Sequence, residues 1–277
     1  MGFTPEWLRD LQYWARHRRA SQPGQVFSNF DEQHIIDKYI ERFDIAGHSR
    51  TAVDIGAGDG IRSSNTYHLF LKGWHGLGIE ADTAKYRRLQ KTYSQFENVV
   101  PCHSTVTVEN VISLLRDNKI EHDLGVLSKD IDGNDYWVLD AILEHYRPRL
   151  IVSEYNEKIP PPLRFVVNYE PHFELRHHFY GYSIAKLEDL LKKHDYVLLE
   201  VEYNNVFLAP RESGAPSKSI EAAYAEGYRD RKDRREKFTD NADVDALLAM
   251  KPAEAVEFVK DFYRQEAGKF TIEAGAK

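Results

Sequence analysis

The sequence has few of the features that mark secreted or membrane-spanning proteins. It contains one cysteine, Cys102, which excludes a disulfide framework. No apolar run approaches the length that crosses a bilayer. The first residues are polar and amphipathic and have no apolar signal-peptide core. We therefore expect a cytoplasmic protein with no membrane partner.

The sequence also lacks an excess of positive charge. Lysine and arginine number 37 against 44 aspartate and glutamate, which gives a net charge of −7. Surfaces that bind nucleic acids are normally basic, because lysine and arginine supply the affinity for phosphate backbones. We therefore expect no nucleic-acid partner. A length of 277 residues, of which 42% are hydrophobic, suits one large α/β domain with an appendage.

Short apolar runs alternate with segments of helical period through the central part of the chain. Such alternation predicts right-handed βαβ units and a parallel sheet. The predicted strands are 51–56, 77–80, 99–103, 124–130 and 150–155, and the predicted helices are 62–73, 83–95, 107–118, 135–146 and 183–194.

The end of this region predicts two antiparallel strands. Asn204 and Asn205 join the apolar runs 196–203 and 206–209, and two such residues between strands form a hairpin turn. The predicted fold class is therefore α/β, a doubly wound, seven-stranded, mostly parallel sheet with a terminal antiparallel hairpin, plus N- and C-terminal helices.

Changes in composition divide the chain into three parts. Residues 1–48 are expected to form helices that pack on the core domain, residues 49–210. Residues 211–277 begin with a Ser/Gly/Pro linker and form a C-terminal extension, which either caps the active site or mediates homo-oligomer formation. The helices predicted in the two flanking parts are 5–20, 31–43, 220–237 and 243–264.

A glycine-rich turn after the first predicted strand is the strongest motif. Glycine permits positive φ and close approach to a ligand, and such a loop places the ligand at the carboxyl edge of the sheet. A pyrophosphate-binding fingerprint would need glycine where Ile61 stands. The acidic residue before the loop would repel a pyrophosphate but can accept a hydrogen bond from an ammonium. This favours S-adenosylmethionine (SAM), which carries an ammonium and a sulfonium but no phosphate. The residues predicted to bind it here are Asp54, Gly56, Ala57, Gly58, Asp59 and Gly60.

The ends of the next two strands complete the predicted cofactor site. Glu80, followed by Ala81, can accept hydrogen bonds from both ribose hydroxyls. Ser104 stands where an adenine edge would lie, although helix capping explains a serine at this position equally well.

Polar residues cluster after the fourth and fifth predicted strands. Because neighbouring strand ends converge, we expect them to face one crevice. Oxygen ligands of this kind suit Mg²⁺, which lowers the pKa of a substrate hydroxyl. The predicted metal ligands are Asp132, Glu154 and Asn156, with Asp132 and Asp135 as catalytic residues and Asp135 as the general base.

Two alternatives to a metal site remain open on the sequence. Residues 132–135 can be a turn followed by a helix cap. Asp130 and Glu154 can instead bind the substrate or the methionine ammonium of SAM directly, with no metal involved.

The segment 157–182 is a long polar and aromatic stretch at the carboxyl edge, which predicts a loop that serves as a substrate lid. We call it the lid segment. His177 or His178 within it could be a base or a ligand.

Residues 54–60 resemble motif I of class I SAM-dependent methyltransferases. Residues 72–80 and 130–137 resemble the FkbM-type group, and the similarity extends over about 25–210. Residues 132–135 are also similar to the fourth-strand motif of macrocin-type sugar O-methyltransferases. That resemblance implies metal ligation by Asp132 and Glu154, and it places Asp135 where those enzymes have a histidine base.

We expect a SAM-dependent methyltransferase that acts on a hydroxyl of a sugar or sugar-containing natural product. Its partner would be a small-molecule or carbohydrate acceptor. N-methylation of a small amine, a SAM-binding partner protein without activity, and a nicotinamide-dependent oxidoreductase are the alternatives. Ile61 and the terminal hairpin count against the oxidoreductase.

Overall fold

The computed structural model describes residues 8, 10–13, 15 and 24–275. The helix predicted over 5–20 falls largely outside these residues, and those of its positions that are described are helical. Among the described residues, no helix is both long enough and apolar enough to cross a membrane.

Of the nine strands in the described part of the chain, seven form one sheet in the order β3-β2-β1-β4-β5-β8-β7. β1 to β5 run parallel, and β8 pairs antiparallel with both β5 and β7. The predicted fold class is thereby confirmed. The strands are β1 Thr51–Ile55, β2 His75–Glu80, β3 Val99–His103, β4 Val126–Lys129, β5 Leu150–Glu154, β6 Leu163–Val167, β7 Tyr196–Glu202, β8 Asn205–Pro210 and β9 Phe270–Ala274.

Helices cover both faces of this sheet. One hydrophobic core joins α5, α6 and α7 to side chains such as Val53 and Ile55, and a second joins α1, α3 and α4 to the opposite face, as at Ala52. Successive strand residues point to opposite faces, so the central strands are apolar on both sides. The helices are α1 Glu32–Arg42, α2 Ile45–His48, α3 Tyr67–Leu71, α4 Thr83–Tyr93, α5 Val111–Asp117, α6 Asp135–Leu143, α7 Ile184–His194, α8 Ile220–Tyr224, α9 Arg234–Lys237 and α10 Pro252–Phe262.

The lid segment is not wholly a loop, because it contains β6, which pairs antiparallel with β9 at the end of the C-terminal extension. The two strands lie far apart in sequence, so no hairpin signal indicates the pairing. Together with α10 they enclose a third hydrophobic core around Phe165 and Val259. The extension is thus joined to the lid segment by both a sheet and a core.

The helices predicted in the C-terminal extension are shorter than expected. The predicted helix 220–237 is divided by a π-helical turn at Ala225–Arg229, where Gly227 lies against β7 so closely that a Cβ would be 2.2 Å from the Val201 carbonyl oxygen. The predicted helix 243–264 begins only at Pro252, which occupies the first turn of α10.

We expect Phe165→Ala to lower the free energy of unfolding by about 3–5 kcal/mol. The ring is fully buried and packs against Tyr263 and Phe270 of the extension. Denaturant unfolding measures the loss. Leu175→Ala is the control, because Leu175 is 54% exposed and its loss should stay below about 0.5 kcal/mol. Similar losses in both variants would contradict a core shared by the lid segment and the extension.

Candidate active site

A crevice opens at the carboxyl edge of the sheet, where the chain reverses its winding direction between β1 and β4. Two adjoining cavities form it and share Gly56, Lys85 and Asp130. Of the residues predicted to hold a cofactor, all but Gly60 line the crevice: Asp54, Gly56, Ala57, Gly58, Asp59, Glu80, Ala81, Ser104 and Asp130.

Gly56 brings the glycine-rich loop into contact with the neighbouring strand. Its φ is +90°, and its N–H and that of Ala57 both donate to the carbonyl oxygen of Ile79 at 3.0 Å. A Cβ at this position would lie 1.8 Å from the carbonyl oxygen of Asp130. No other residue fits here without moving the backbone.

Asp59 and Gly60 shape the glycine-rich loop. Asp59 Oδ1 accepts the backbone N–H groups of Ile61 at 3.0 Å and Arg62 at 2.8 Å. Gly60 packs against the side chain of Leu89 on α4. These contacts hold the turn in place, and Asp59 also lines the crevice.

Glu80 joins the glycine-rich loop to the end of β2. Its Oε2 accepts the Gly58 N–H at 2.8 Å and its Oε1 accepts the Asp82 N–H at 2.7 Å. A carboxylate has about four lone-pair sites. Two acceptor sites therefore remain for hydroxyl groups in the cavity that Glu80 lines.

Asp54 lies in the other cavity, where hydroxyl groups surround it. Thr66 Oγ1 donates to its Oδ2 at 2.7 Å and Ser64 Oγ at 3.4 Å. Burial raises the pKa of Asp54 to about 6, and the charge of Glu80 adds to the shift. The sequence pattern does not indicate either hydroxyl residue, because both fall inside the predicted helix 62–73, whereas α3 begins only at Tyr67.

A carboxylate cluster, Asp130, Asp132 and Glu154, lies beside the glycine-rich loop. One oxygen of each lies within 4.8 Å of the others. Glu154 Oε1 accepts from Asn204 Nδ2 at 3.0 Å, while its Oε2 is buried without a hydrogen-bond partner among the described residues. Desolvation and the neighbouring carboxylates raise the pKa of Asp130 to about 7 and hold that of Glu154 well above its usual range.

Asp135 does not reach the crevice, which corrects its prediction as a general base. Its side chain is buried, and its Oδ1 pairs with Lys129 Nζ at 2.5 Å. The N–H groups of Ile131 and Gly133 donate to the same carboxylate at 3.2 and 2.9 Å. These three bonds hold the loop that carries Asp130 and Asp132.

Asn156 is likewise no ligand in this geometry, in contrast to its prediction. It is fully buried, and its Nδ2 donates to the carbonyl oxygens of His178 at 2.9 Å and Tyr180 at 3.0 Å. Its Oδ1 accepts the Lys158 N–H at 3.3 Å. Asp130, predicted to contact the cofactor or the substrate, lies in the oxygen cluster instead.

His177 and His178 are not among the residues that line the crevice. Pro171 and Phe173 of the lid segment line it instead. Asn134 fixes this part of the lid, because its Nδ2 donates to the Glu170 carbonyl oxygen at 2.7 Å and its Oδ1 accepts the Glu170 N–H at 3.3 Å.

Comparison with known proteins finds similarity at the level of the fold. No family model matches the sequence, and no curated protein matches it either. An O-methyltransferase from Bacillus cereus in complex with SAH is 13% identical over 76% of this chain and 91% of its own, with a TM-score of 0.43. An amino pentose methyltransferase from Micromonospora echinaspora with bound SAM is 12% identical over 76% and 98%, with a TM-score of 0.43. Magnesium protoporphyrin IX methyltransferase from Synechocystis with bound SAM is 12% identical over 76% and 99%, with a TM-score of 0.40.

We expect Lys129→Met to lower the free energy of unfolding by about 3–5 kcal/mol, because it leaves the buried Asp135 carboxylate without its cation. Adding Asp135→Asn should recover part of this loss, since the pair then leaves no buried charge and the amide oxygen still accepts one of the two backbone N–H groups. Denaturant unfolding of the single and double variants measures the coupling.

The exposed pair Lys72–Asp37 is the matched control. Lys72→Met should cost no more than about 1 kcal/mol. If the double variant loses as much free energy of unfolding as Lys129→Met and Asp135→Asn lose together, the buried pair does not act as a unit.

Proposed function

We propose that this protein is a SAM-dependent methyltransferase that transfers a methyl group to a hydroxyl of a small molecule, such as a sugar or a sugar-containing natural product. One observation carries the proposal. A single crevice has a glycine-rich loop between two carboxylates, Asp54 and Glu80, and the carboxylate cluster adjoins that loop.

SAM fits the crevice by the chemistry of its parts. Glu80 has acceptor sites left for the ribose hydroxyls, and Ala81 and Ser104 line the same cavity, where the adenine would lie. Asp54 lines the adjoining cavity and would accept a hydrogen bond from the methionine ammonium. Crowded carboxylates in a partly desolvated site favour a cationic ligand, and SAM carries two positive groups.

The carboxylate cluster suits Mg²⁺. Its three residues offer only oxygen, the donor that this hard cation prefers, and the unpartnered Glu154 Oε2 is one free donor. In our proposal Asp130, Asp132 and Glu154 hold the ion, which supplies Lewis acidity that lowers the pKa of the acceptor hydroxyl.

The chain itself contributes position and a proton acceptor. The glycine-rich loop and Glu80 fix the methyl donor, while Pro171 and Phe173 cover the crevice and hold the acceptor against it. The acceptor oxygen then bonds to the methyl carbon as the carbon–sulfur bond breaks, which releases S-adenosylhomocysteine. Asp132, exposed at the mouth of the crevice, would bind the ion through one carboxylate oxygen and take the hydroxyl proton on the other, in place of the buried Asp135.

We also propose that residues 49–210 form the catalytic domain and that 1–48 and 211–277 flank it. Asp10 of the first part pairs with Arg88, a residue that lines the crevice. β9 of the last part pairs with β6 of the lid segment. The N-terminal part would therefore help to position a residue of the crevice, and the C-terminal part would help to position the lid segment.

We expect SAM to bind the wild-type protein and NAD not to bind, as measured by calorimetry. Asp54→Asn and Glu80→Gln should each weaken SAM binding about ten- to a hundredfold, since each removes a hydrogen bond to a charged group. Glu97→Gln is the control, because Glu97 is an exposed carboxylate outside the crevice. Thermal unfolding of every variant separates lost binding from lost folding. Binding of NAD in place of SAM would overturn the proposal.

We expect methyl transfer to a panel of sugar and phenol hydroxyls to fall at least about a hundredfold on chelation and to return with Mg²⁺. Asp132→Asn and Glu154→Gln should show the same loss while SAM affinity changes little, because our proposal assigns the ribose and the ammonium to Glu80 and Asp54 instead. Release of S-adenosylhomocysteine measures turnover. Undiminished turnover in the presence of a chelator would contradict the proposed Mg²⁺ site. SAM binding without turnover on any acceptor would favour a non-catalytic SAM-binding protein.

A further inference from the structure

A second group of side chains that carry metal-ligating atoms lies outside the crevice. His177 and His178 of the lid segment meet Asp243 of the C-terminal extension, and one ligand atom of each lies within 4.8 Å of the others. We call these three residues the histidine cluster. Neither the cofactor loop nor the carboxylate cluster contributes to it.

The backbone conformation of His178 explains how two consecutive histidines face the same way. In extended chain, successive side chains point to opposite sides. His178 has φ of +58°, in the left-handed region that non-glycine residues seldom occupy. The two imidazole rings consequently lie 3.7 Å apart between centroids, at 58° to each other.

Neighbouring residues hold this unfavourable conformation in place. The His178 carbonyl oxygen accepts from Asn156 Nδ2 at 2.9 Å and from Tyr263 Oη at 2.6 Å. Both bonds are buried, and Tyr263 comes from the C-terminal extension. Strained backbone that is fixed by several buried contacts is typical of a functional position.

His178 and Asp243 lie in close contact. His178 Nε2 is 3.0 Å from Asp243 Oδ1, and the two side chains pair. The Nε2 atom is buried and the residue is only 6% exposed, so the contact is shielded from water. An imidazole nitrogen and a carboxylate oxygen are also metal ligands, and two such atoms at this distance can share one ion.

We propose that His177, His178 and Asp243 bind a zinc ion. Two imidazole nitrogens and one carboxylate oxygen form a donor set that zinc favours. With zinc–nitrogen and zinc–oxygen bonds of about 2.0–2.2 Å, tetrahedral ligands lie roughly 3.3 Å apart. The 3.0 Å pair already matches this spacing, and water would complete the fourth position.

The nearby ammonium group of Lys158 does not prevent cation binding. Its Nζ lies 3.1 Å from Glu157 Oε1 and donates to Tyr180 Oη at 2.7 Å. The Glu157 carboxylate therefore offsets this charge, and Asp243 adds one negative charge at the cluster itself.

Zinc at the histidine cluster would fix the lid segment to the C-terminal extension. The same lid segment carries Phe173, which lines the crevice and packs over Gly133. The Arg176–Glu266 ion pair at 2.7 Å joins the same two parts of the chain. The ion would thus stabilise the covered state of the crevice, whatever reaction takes place there, so the zinc site does not depend on the proposed methyl transfer.

Titration of the purified, metal-stripped protein with Zn²⁺ against a chromophoric chelator tests the site. We expect one equivalent to bind to this cluster, and Co²⁺ in its place to give the visible absorption of a tetrahedral site. His177→Ala and Asp243→Asn should each weaken zinc binding at least about a hundredfold, since loss of a residue that merely orients a metal ligand costs up to that much. His178→Asn should do the same with folding retained, because asparagine tolerates a left-handed backbone.

His172→Ala and Asp240→Asn are the matched controls, because both residues are exposed, close in sequence and outside the cluster. Asp132→Asn distinguishes the two metal sites, since it should leave zinc binding at the histidine cluster unchanged while it abolishes the Mg²⁺ effect on turnover. The proposal would be overturned if the wild type took up no zinc, or if the three cluster variants bound zinc as tightly as the wild type. Neither result would affect the methyltransferase assignment.

Discussion

The close approach of Gly56 to the main chain of Asp130 sets the geometry of the whole carboxyl edge. The glycine-rich loop follows β1, whereas the carboxylate cluster lies at the ends of β4 and β5. Only a residue without a side chain at position 56 lets the loop and the cluster lie side by side. Six carboxylates consequently line one crevice, and Glu154 lies beside two of them. The six are Asp54, Asp59, Glu80, Asp82, Asp130 and Asp132. Their mutual repulsion and desolvation raise the pKa values of several members. Positively charged ligands stabilise a site of this kind. Because the backbone contact at Gly56 brings the carboxylates together, it also influences which cofactor the site favours.

Much of this edge could be predicted from the sequence because its signals are local. The alternation of apolar runs and helical segments predicts the parallel strands, and Asn204–Asn205 predicts the hairpin. Once strand ends are placed, the topology brings Asp54, Glu80 and Asp132 to the same edge. The predicted strand 99–103 agrees with β3 at both ends. These inferences need only the period of the pattern and the geometry of parallel sheets.

The other features of the site depend on side-chain contacts and long-range pairings that no local sequence pattern encodes. Asp135 follows an acidic run, but its partner Lys129 is an apparently ordinary strand residue that is fully buried. Asn156 points back at the lid backbone instead of into the crevice. The pairing of β6 with β9 joins segments about a hundred residues apart in sequence. Asp243 meets His177 and His178 only through this long-range pairing of the lid segment with the extension.

The position of β9 in the chain has a consequence for biosynthesis. Proteins emerge from the ribosome N-terminal end first, and domains begin to fold as they appear. The seven strands of the large sheet are all translated before Arg211, whereas β9 spans Phe270–Ala274. The nascent chain can therefore assemble its glycine-rich loop and the crevice while the covering segment still lacks its strand partner. A ligand that enters the crevice at this stage is enclosed when β9 pairs with β6.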